Sequence, residues 1–244
     1  MGRCCLHRHS DFCRSCERLT SLEARFSQGA LLHRWGAAAM RKFLICILLP
    51  LALMGCAGKQ VWAPDEMVAR MAYREPGPAT LTLMTMISNR SGGGAHTSLM
   101  INASQRVIWD PAGSFAHSQI PERNDVIYGV NPEVYQTYKG AHARETFHVV
   151  TQEIEVSPEV AEKAFALARA TGPVGSSQCT MSTSAILRQL PGFEGIRSSL
   201  FPKKLMEDFA KLPGVKEGSL FEDDAGDKAT AFGAASKVQL ETVN

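Results

Sequence analysis

Residues 43–54 form an apolar run broken only by Pro50, and this run decides which part of the chain is left to fold as a domain. Arg41 and Lys42 precede it, and Gly55 and Cys56 follow it. A positive start, a short apolar centre and a small residue before a cut are the marks of an export signal. The run is about a dozen residues long, and a bilayer-spanning helix needs roughly 20. The reading is therefore a signal peptide over 40–55, removed in the mature chain, with 56–244 left to fold.

The end of the run, Leu53-Met54-Gly55-Cys56, resembles the lipobox of bacterial lipoproteins. The resemblance implies that Cys56 receives a diacylglycerol and becomes the mature N-terminus. Ala57, rather than aspartate, follows it. In such proteins that pattern implies the outer membrane, with the domain lipid-anchored on the periplasmic face. Acyl chains add about 0.8 kcal/mol per buried CH₂, so a multiply acylated terminus anchors firmly. The alternative is an ordinary buried helix with a cysteine at its end. Residues 1–39 carry Cys4, Cys5, His7, His9, Cys13 and Cys16. These are zinc-ligand types, but their spacing is irregular and no second paired set follows. A signal sequence normally starts a chain, so 1–39 reads as a mis-assigned start with translation beginning at Met40.

Charge narrows the partners. The whole chain has 26 basic and 24 acidic residues; eight basic and three acidic ones precede Cys56, leaving 18 and 21. No basic stripe survives, which argues against nucleic acid as a partner. The size of 56–244 suits one domain with a real core.

Hydrophobic periodicity supplies the elements. Residues 57–78 read as a tether with a short helix at 64–72. Leu81, Leu83 and the apolar end 84–87 mark a first strand over 79–88. Ser91-Gly92-Gly93-Gly94 is a turn, 96–101 a second strand, Asn102-Ala103-Ser104-Gln105 another turn, and 106–110 a third strand. Strand, short turn, strand is an antiparallel hairpin. Residues 114–145 are irregular and polar, with a short helix at 132–139. A fourth strand spans 147–156. Ser157-Pro158-Glu159 opens a helix with a capping serine, a proline in the first turn and an acid behind it. Its expected buried stripe is Val160, Ala164, Leu167 and Ala168. Helices follow from Cys179 to the Leu190-Pro191-Gly192 stop and over 202–212, and 215–244 reads as a disordered tail. The domain at 79–214 is thus expected to be α+β, an antiparallel sheet with packed helices.

Removal of 1–55 and lipidation of Cys56 leave Cys179 as the one free thiol of the mature chain. It sits where a loop becomes a helix, and the free N–H groups and partial positive charge of a first helical turn favour the thiolate. Two readings stand: a small buried hydrophobe, or a nucleophile. A nucleophilic cysteine needs a base. Of His96, His117, His142 and His148, the best placed is His96, which opens a strand after a glycine-rich turn. His117 and His142 lie in irregular segments and read as solvated. His148 reads as an ordinary polar-face residue. A third group should fix the imidazole tautomer. His96 opens one strand of the hairpin and Asp110 closes the other, so both fall at the same end. Asp110 also fits a turn-capping role before Pro111.

This order of parts resembles the circularly permuted papain-like hydrolases: His96-Thr97-Ser98-Leu99-Met100-Ile101, then Asp110, then Gln178-Cys179-Thr180. Unpermuted relatives, including NlpC-type cell-wall peptidases, place the cysteine first. Many permuted members carry asparagine before the cysteine, where this chain has Gln178. The resemblance implies thiol hydrolysis or acyl transfer at an amide or ester. Cys179 would attack, His96 would carry the proton and Asp110 would orient it. The Cys179 N–H and the Gln178 side chain are candidates to hold the oxyanion. This chemistry needs no metal or organic cofactor. Peptidoglycan peptides and acyl groups are the expected substrate classes. The competing expectations are a non-catalytic envelope lipoprotein that binds a peptide, glycan or partner protein, and an envelope assembly factor using 114–145 as its working surface.

Overall fold

The computed structural model describes residue 58 and residues 60–223. The segment read as a signal peptide, the ligand-rich start, Cys56 and the chain from 224 onward lie outside the described residues.

Strand β1 (Thr80–Ser88) has seven consecutive buried residues, a pattern that requires cover on both faces of the sheet. Leu81 and Leu83 point into one core and Met84 and Met86 into the other, as the two-residue period of a strand dictates. The other strands are β2 (Gly94–Asn102), β3 (Arg106–Trp109), β4 (Glu122–Arg123), β5 (Val126–Ile127), β6 (Phe147–Glu155) and β7 (Lys216–Leu220). Among the described residues every strand pairing is antiparallel, and the seven strands lie in the order β4-β5-β3-β2-β1-β6-β7.

Five described helices flank this chain of strands: α1 (Asp65–Arg70), α2 (Pro132–His142), α3 (Pro158–Thr171), α4 (Cys179–Leu187) and α5 (Pro202–Phe209). Helices α3, α4 and α5 cover one face, through Ala164, Phe165, Leu187, Leu205 and Phe209 among others. Helix α2 covers the other with Val134, Tyr138 and Ala141, joined by Phe115. The result is an α+β domain with the antiparallel sheet between helical layers.

The helix starts are local chemistry. Asn131 caps α2 by accepting from the Val134 N–H at 2.8 Å, and Ser157 caps α3 by accepting from Val160 at 3.3 Å. A proline opens each in its first turn. The buried residues of α3 are Ala161, Ala164, Phe165 and Ala168, so its inward stripe is turned by one position from the expected one, with Val160 and Leu167 at the flanks.

Two boundaries differ from expectation. The segment read as a tether is part of the domain. Val68 is in the core, the Arg106 N–H donates to Tyr73 O at 2.6 Å, and the Ala63 N–H donates to Glu122 O at 2.9 Å. The tail read from 215 onward contains β7, which pairs with β6 over five residues. Its sequence, KEGSL, has no apolar alternation to announce a strand; the open backbone of β6 supplies the hydrogen bonds.

Candidate active site

A bulge sets the site. Met86 pairs with His96 and Ile87 with Gly94, so Ala95 is the extra residue on β2. Bulges bend a strand and re-aim the neighbouring side chain. The next residue is His96, on the same face of β2 as Ser98 and Met100.

The hairpin register brings Asp110 to it. The ladder pairs Leu99 with Trp109, so one step on Asp110 lies across from Ser98, diagonal to His96 on the same face. His96 Nε2 lies 2.6 Å from Asp110 Oδ1. An ionised carboxylate only accepts, so Nε2 carries the proton and Nδ1 is the nitrogen left for another partner. The Tyr138 hydroxyl donates to the same Oδ1 at 2.7 Å. Gly113 leaves room for this carboxylate: a Cβ there would sit 1.9 Å from Asp110 Oδ2 and push it out of place.

Cys179 arrives from the opposite helical layer. Ser177 has φ 65°, a left-handed turn that ends the loop, and α4 begins two residues later with Cys179 as its first residue. The first N–H bonded back along the chain there is that of Ser182, to Gln178 O at 2.9 Å, so those of Cys179, Thr180 and Met181 belong to the open first turn. The Cys179 thiol interacts with the His96 ring and with the Thr97 backbone N–H, and Thr180 Oγ1 lies 3.8 Å from its sulfur. Thr97 and Thr180 hydroxyls meet at 3.4 Å, which fastens the start of α4 to β2.

The electrostatics couple the three groups. Burial of Cys179 pushes its thiol up, but the hydrogen bond from His96 and the charge of its ring outweigh burial, so the net shift is down. Burial pulls His96 down; the Asp110 carboxylate and the Cys179 sulfur overcome it and hold the ring well above its ordinary range. Asp110 is likewise pushed up by burial and pulled lower, on balance, by His96, with smaller help from His142 and Tyr138. The arrangement favours a thiolate beside an imidazolium, itself beside a carboxylate.

Of the remaining sequence candidates, Gln178 occupies the N-cap position of α4, half-buried, with no side-chain capping bond. His142 is not the solvated residue expected. It is half-buried, its ring 4.5 Å from that of Tyr138 and 6.1 Å from that of His96, because α2 continues through His142 and turns it inward. His117 Nδ1 accepts from the Gln119 N–H at 3.2 Å, and His148 meets Asn89 Oδ1 at 2.6 Å, away from the thiol.

Two contributors escaped the sequence reading. Tyr138 is fully buried beneath Asp110. Asp125 ties the site's two loops: its Oδ2 accepts from Val174 at 2.7 Å and from Ala112 at 3.4 Å, and its carbonyl accepts from the Asp110 N–H at 2.8 Å. The Tyr138–His142 spacing of four within a helix is a signal that a longer α2 would have offered. Nothing in the sequence near Asp125 announces its role.

No group of three or more His, Cys, Asp or Glu among the described residues is placed to hold a metal ion, and no described helix is long and apolar enough to cross a membrane. Comparison with protein-family models, with curated proteins and with solved structures finds no match.

Proposed function

We propose that this protein is a thiol hydrolase acting on an amide or ester, lipid-anchored through Cys56 at the periplasmic face of the outer membrane. The observation that carries the reading is His96 standing between Asp110 and Cys179, with Nε2 committed to the carboxylate. The order His96, Asp110, Cys179 along the chain supports a circularly permuted papain-like arrangement. Cell-wall peptides and acyl esters are the substrate classes within reach of such an anchor.

The chemistry follows from the geometry. The Cys179 thiolate attacks the carbonyl carbon and forms an S–C bond. The oxyanion faces the open first turn of α4, where the Cys179 N–H is available and Gln178 is adjacent; one such donor is commonly worth about 2.7–4 kcal/mol. Collapse breaks the bond to the leaving oxygen or nitrogen, which takes the proton from His96 Nδ1. Water then gives its proton to His96 and attacks the thioester, the S–C bond breaks, and the acid leaves.

The test compares wild type with Cys179→Ala on peptidoglycan fragments and on acyl esters, following product release. Loss of at least about a thousandfold in the variant is expected. Equal turnover by the variant, or no product from either class with wild type, overturns the proposal. The low exposure of Cys179, 7 %, also suits a second reading, a binding lipoprotein without turnover. That reading expects Cys179→Ala to bind envelope peptides or glycans as wild type does, with no product from either protein.

A further inference from the structure

A cleft of about 500 Å³ opens beside the imidazole. That volume lies in the range that small ligands occupy. Met86, Ala95, Ala112, Gly113, Ala141 and Phe147 form most of its wall. Of the charged and titratable groups around it, Arg144 is paired with Glu222 at 2.5 Å, and His142 Nδ1 donates to Tyr138 O at 2.7 Å. The wall is thus mainly carbon, and its fixed cation already faces a carboxylate. A charged peptide side chain would lose its water there for little return.

The position of the cleft relative to the reacting atoms decides which half of a substrate it takes. Its wall includes His96 and not Cys179. In thiol hydrolysis the acyl carbon bonds to sulfur, whereas the leaving heteroatom must meet the imidazolium to take its proton. A group lodged against His96 is therefore on the leaving side.

Resting on the thiol-hydrolase reading, we propose that this cleft binds an apolar leaving group, so that the substrate is an amide or ester whose amine or alcohol part carries an alkyl or aryl body. The C–N or C–O bond breaks, the heteroatom leaves with the His96 proton, and the acyl part stays on Cys179 Sγ until water releases it.

Binding to the inactive Cys179→Ala protein tests this apart from turnover. Three probes are titrated by calorimetry: N-ethylacetamide, N-octylacetamide, and N-ethyloctanamide, which places the same alkyl chain on the acyl side. N-octylacetamide should bind at least about tenfold tighter than N-ethylacetamide, since each buried methylene contributes, and more tightly than N-ethyloctanamide. Thr146→Trp, which fills the cleft from its exposed rim, and Phe147→Ser, which removes apolar wall, should both reduce the preference. Thermal melts check that both variants are folded. Equal affinity for the ethyl and octyl acetamides, a preference for N-ethyloctanamide, or a preference that neither variant changes overturns the proposal. Failure of the hydrolase reading shows separately, as absence of product from wild type.

Discussion

Cys179 is held between opposing influences, and the balance is measurable. Burial raises its pKa; His96, Thr180 and the Thr97 N–H lower it, and the lowering side prevails. Alkylation by iodoacetamide reports the thiolate directly, so its rate should reach half-maximum below the free-thiol value of about 8.5. His96→Ala removes the largest lowering influences and leaves burial in place. Its half-maximum should therefore move upward, past that of wild type. A wild-type profile centred at or above the free-thiol value, or one that His96→Ala leaves unmoved, would remove the ion pair from the account. The pairing of His96 with Asp110 was legible because a hairpin's two ends are fixed by one short turn, Asn102-Ala103-Ser104-Gln105. The approach of Cys179 was less so. It depends on which face α4 covers and on the bulge at Ala95, neither of which leaves a mark in the local sequence.

The elements that announced themselves carry either periodicity or a cap. Strands β1, β2, β3 and β6 show apolar alternation or apolar runs, and α2 and α3 start with Asn-Pro and Ser-Pro. Strands β4 and β5 are two residues each, too short for a period to register, and β7 has no apolar stripe at all. Connections between elements were the least legible, and Asp125 is the clearest instance. Its side chain gathers the N–H of Ala112, after β3, and that of Val174, ahead of α4. Asp125→Ala leaves both donors without that acceptor. Both donors are half-buried, so the cost sits at the low end of that for an unmet buried donor, about 1 kcal/mol, and the melting temperature should fall by a few degrees. More tellingly, the loop bearing Cys179 loses its tether to the loop after Asp110, and alkylation at neutral pH should slow towards the rate of a free thiol. Asp125→Asn keeps a side-chain oxygen to accept and should recover most of both losses. If Asp125→Ala lowers stability with no change in alkylation, the residue holds the fold and not the site.

At the scale of the whole molecule, the catalytic candidates belong to different layers. His96 and Asp110 lie on the sheet face that α2 covers, while Cys179 comes with α4 from the layer on the other face. A central sheet buried on both sides was half legible: the burial of all seven residues from Leu81 to Ile87 exceeds what alternation alone suggests, and only the sum of four covering helices explains it. This layering buries the ion pair, whose side chains are 17 % and 4 % exposed, so its charge state enters global stability. The sign follows from the direction of each shift. His96 has its folded pKa raised above the unfolded value of about 6.5. Its contribution is full below that value and is lost as pH rises through the higher folded one. Asp110 has its folded pKa lowered beneath the unfolded value of about 3.9. Its contribution is full above that value and is lost as pH falls through the lower folded one. The pair should therefore stabilise most between about pH 4 and 6.5, with decline on both sides. Other carboxylates titrate in the acid limb, so the informative quantity is a difference. Asp110→Asn removes the main influence that raises His96 and leaves the burial that lowers it. The unfolding free energy of wild type minus that of Asp110→Asn, from denaturant melts, should peak in that window at about 3–5 kcal/mol, the usual cost of breaking a buried pair. It should shrink steadily from pH 6.5 into the alkaline range. A difference that stays flat from pH 5 to 10 would mean that His96 is neutral in the folded protein, and the imidazolium that the proposed hydrolysis calls for would have to form only when substrate binds.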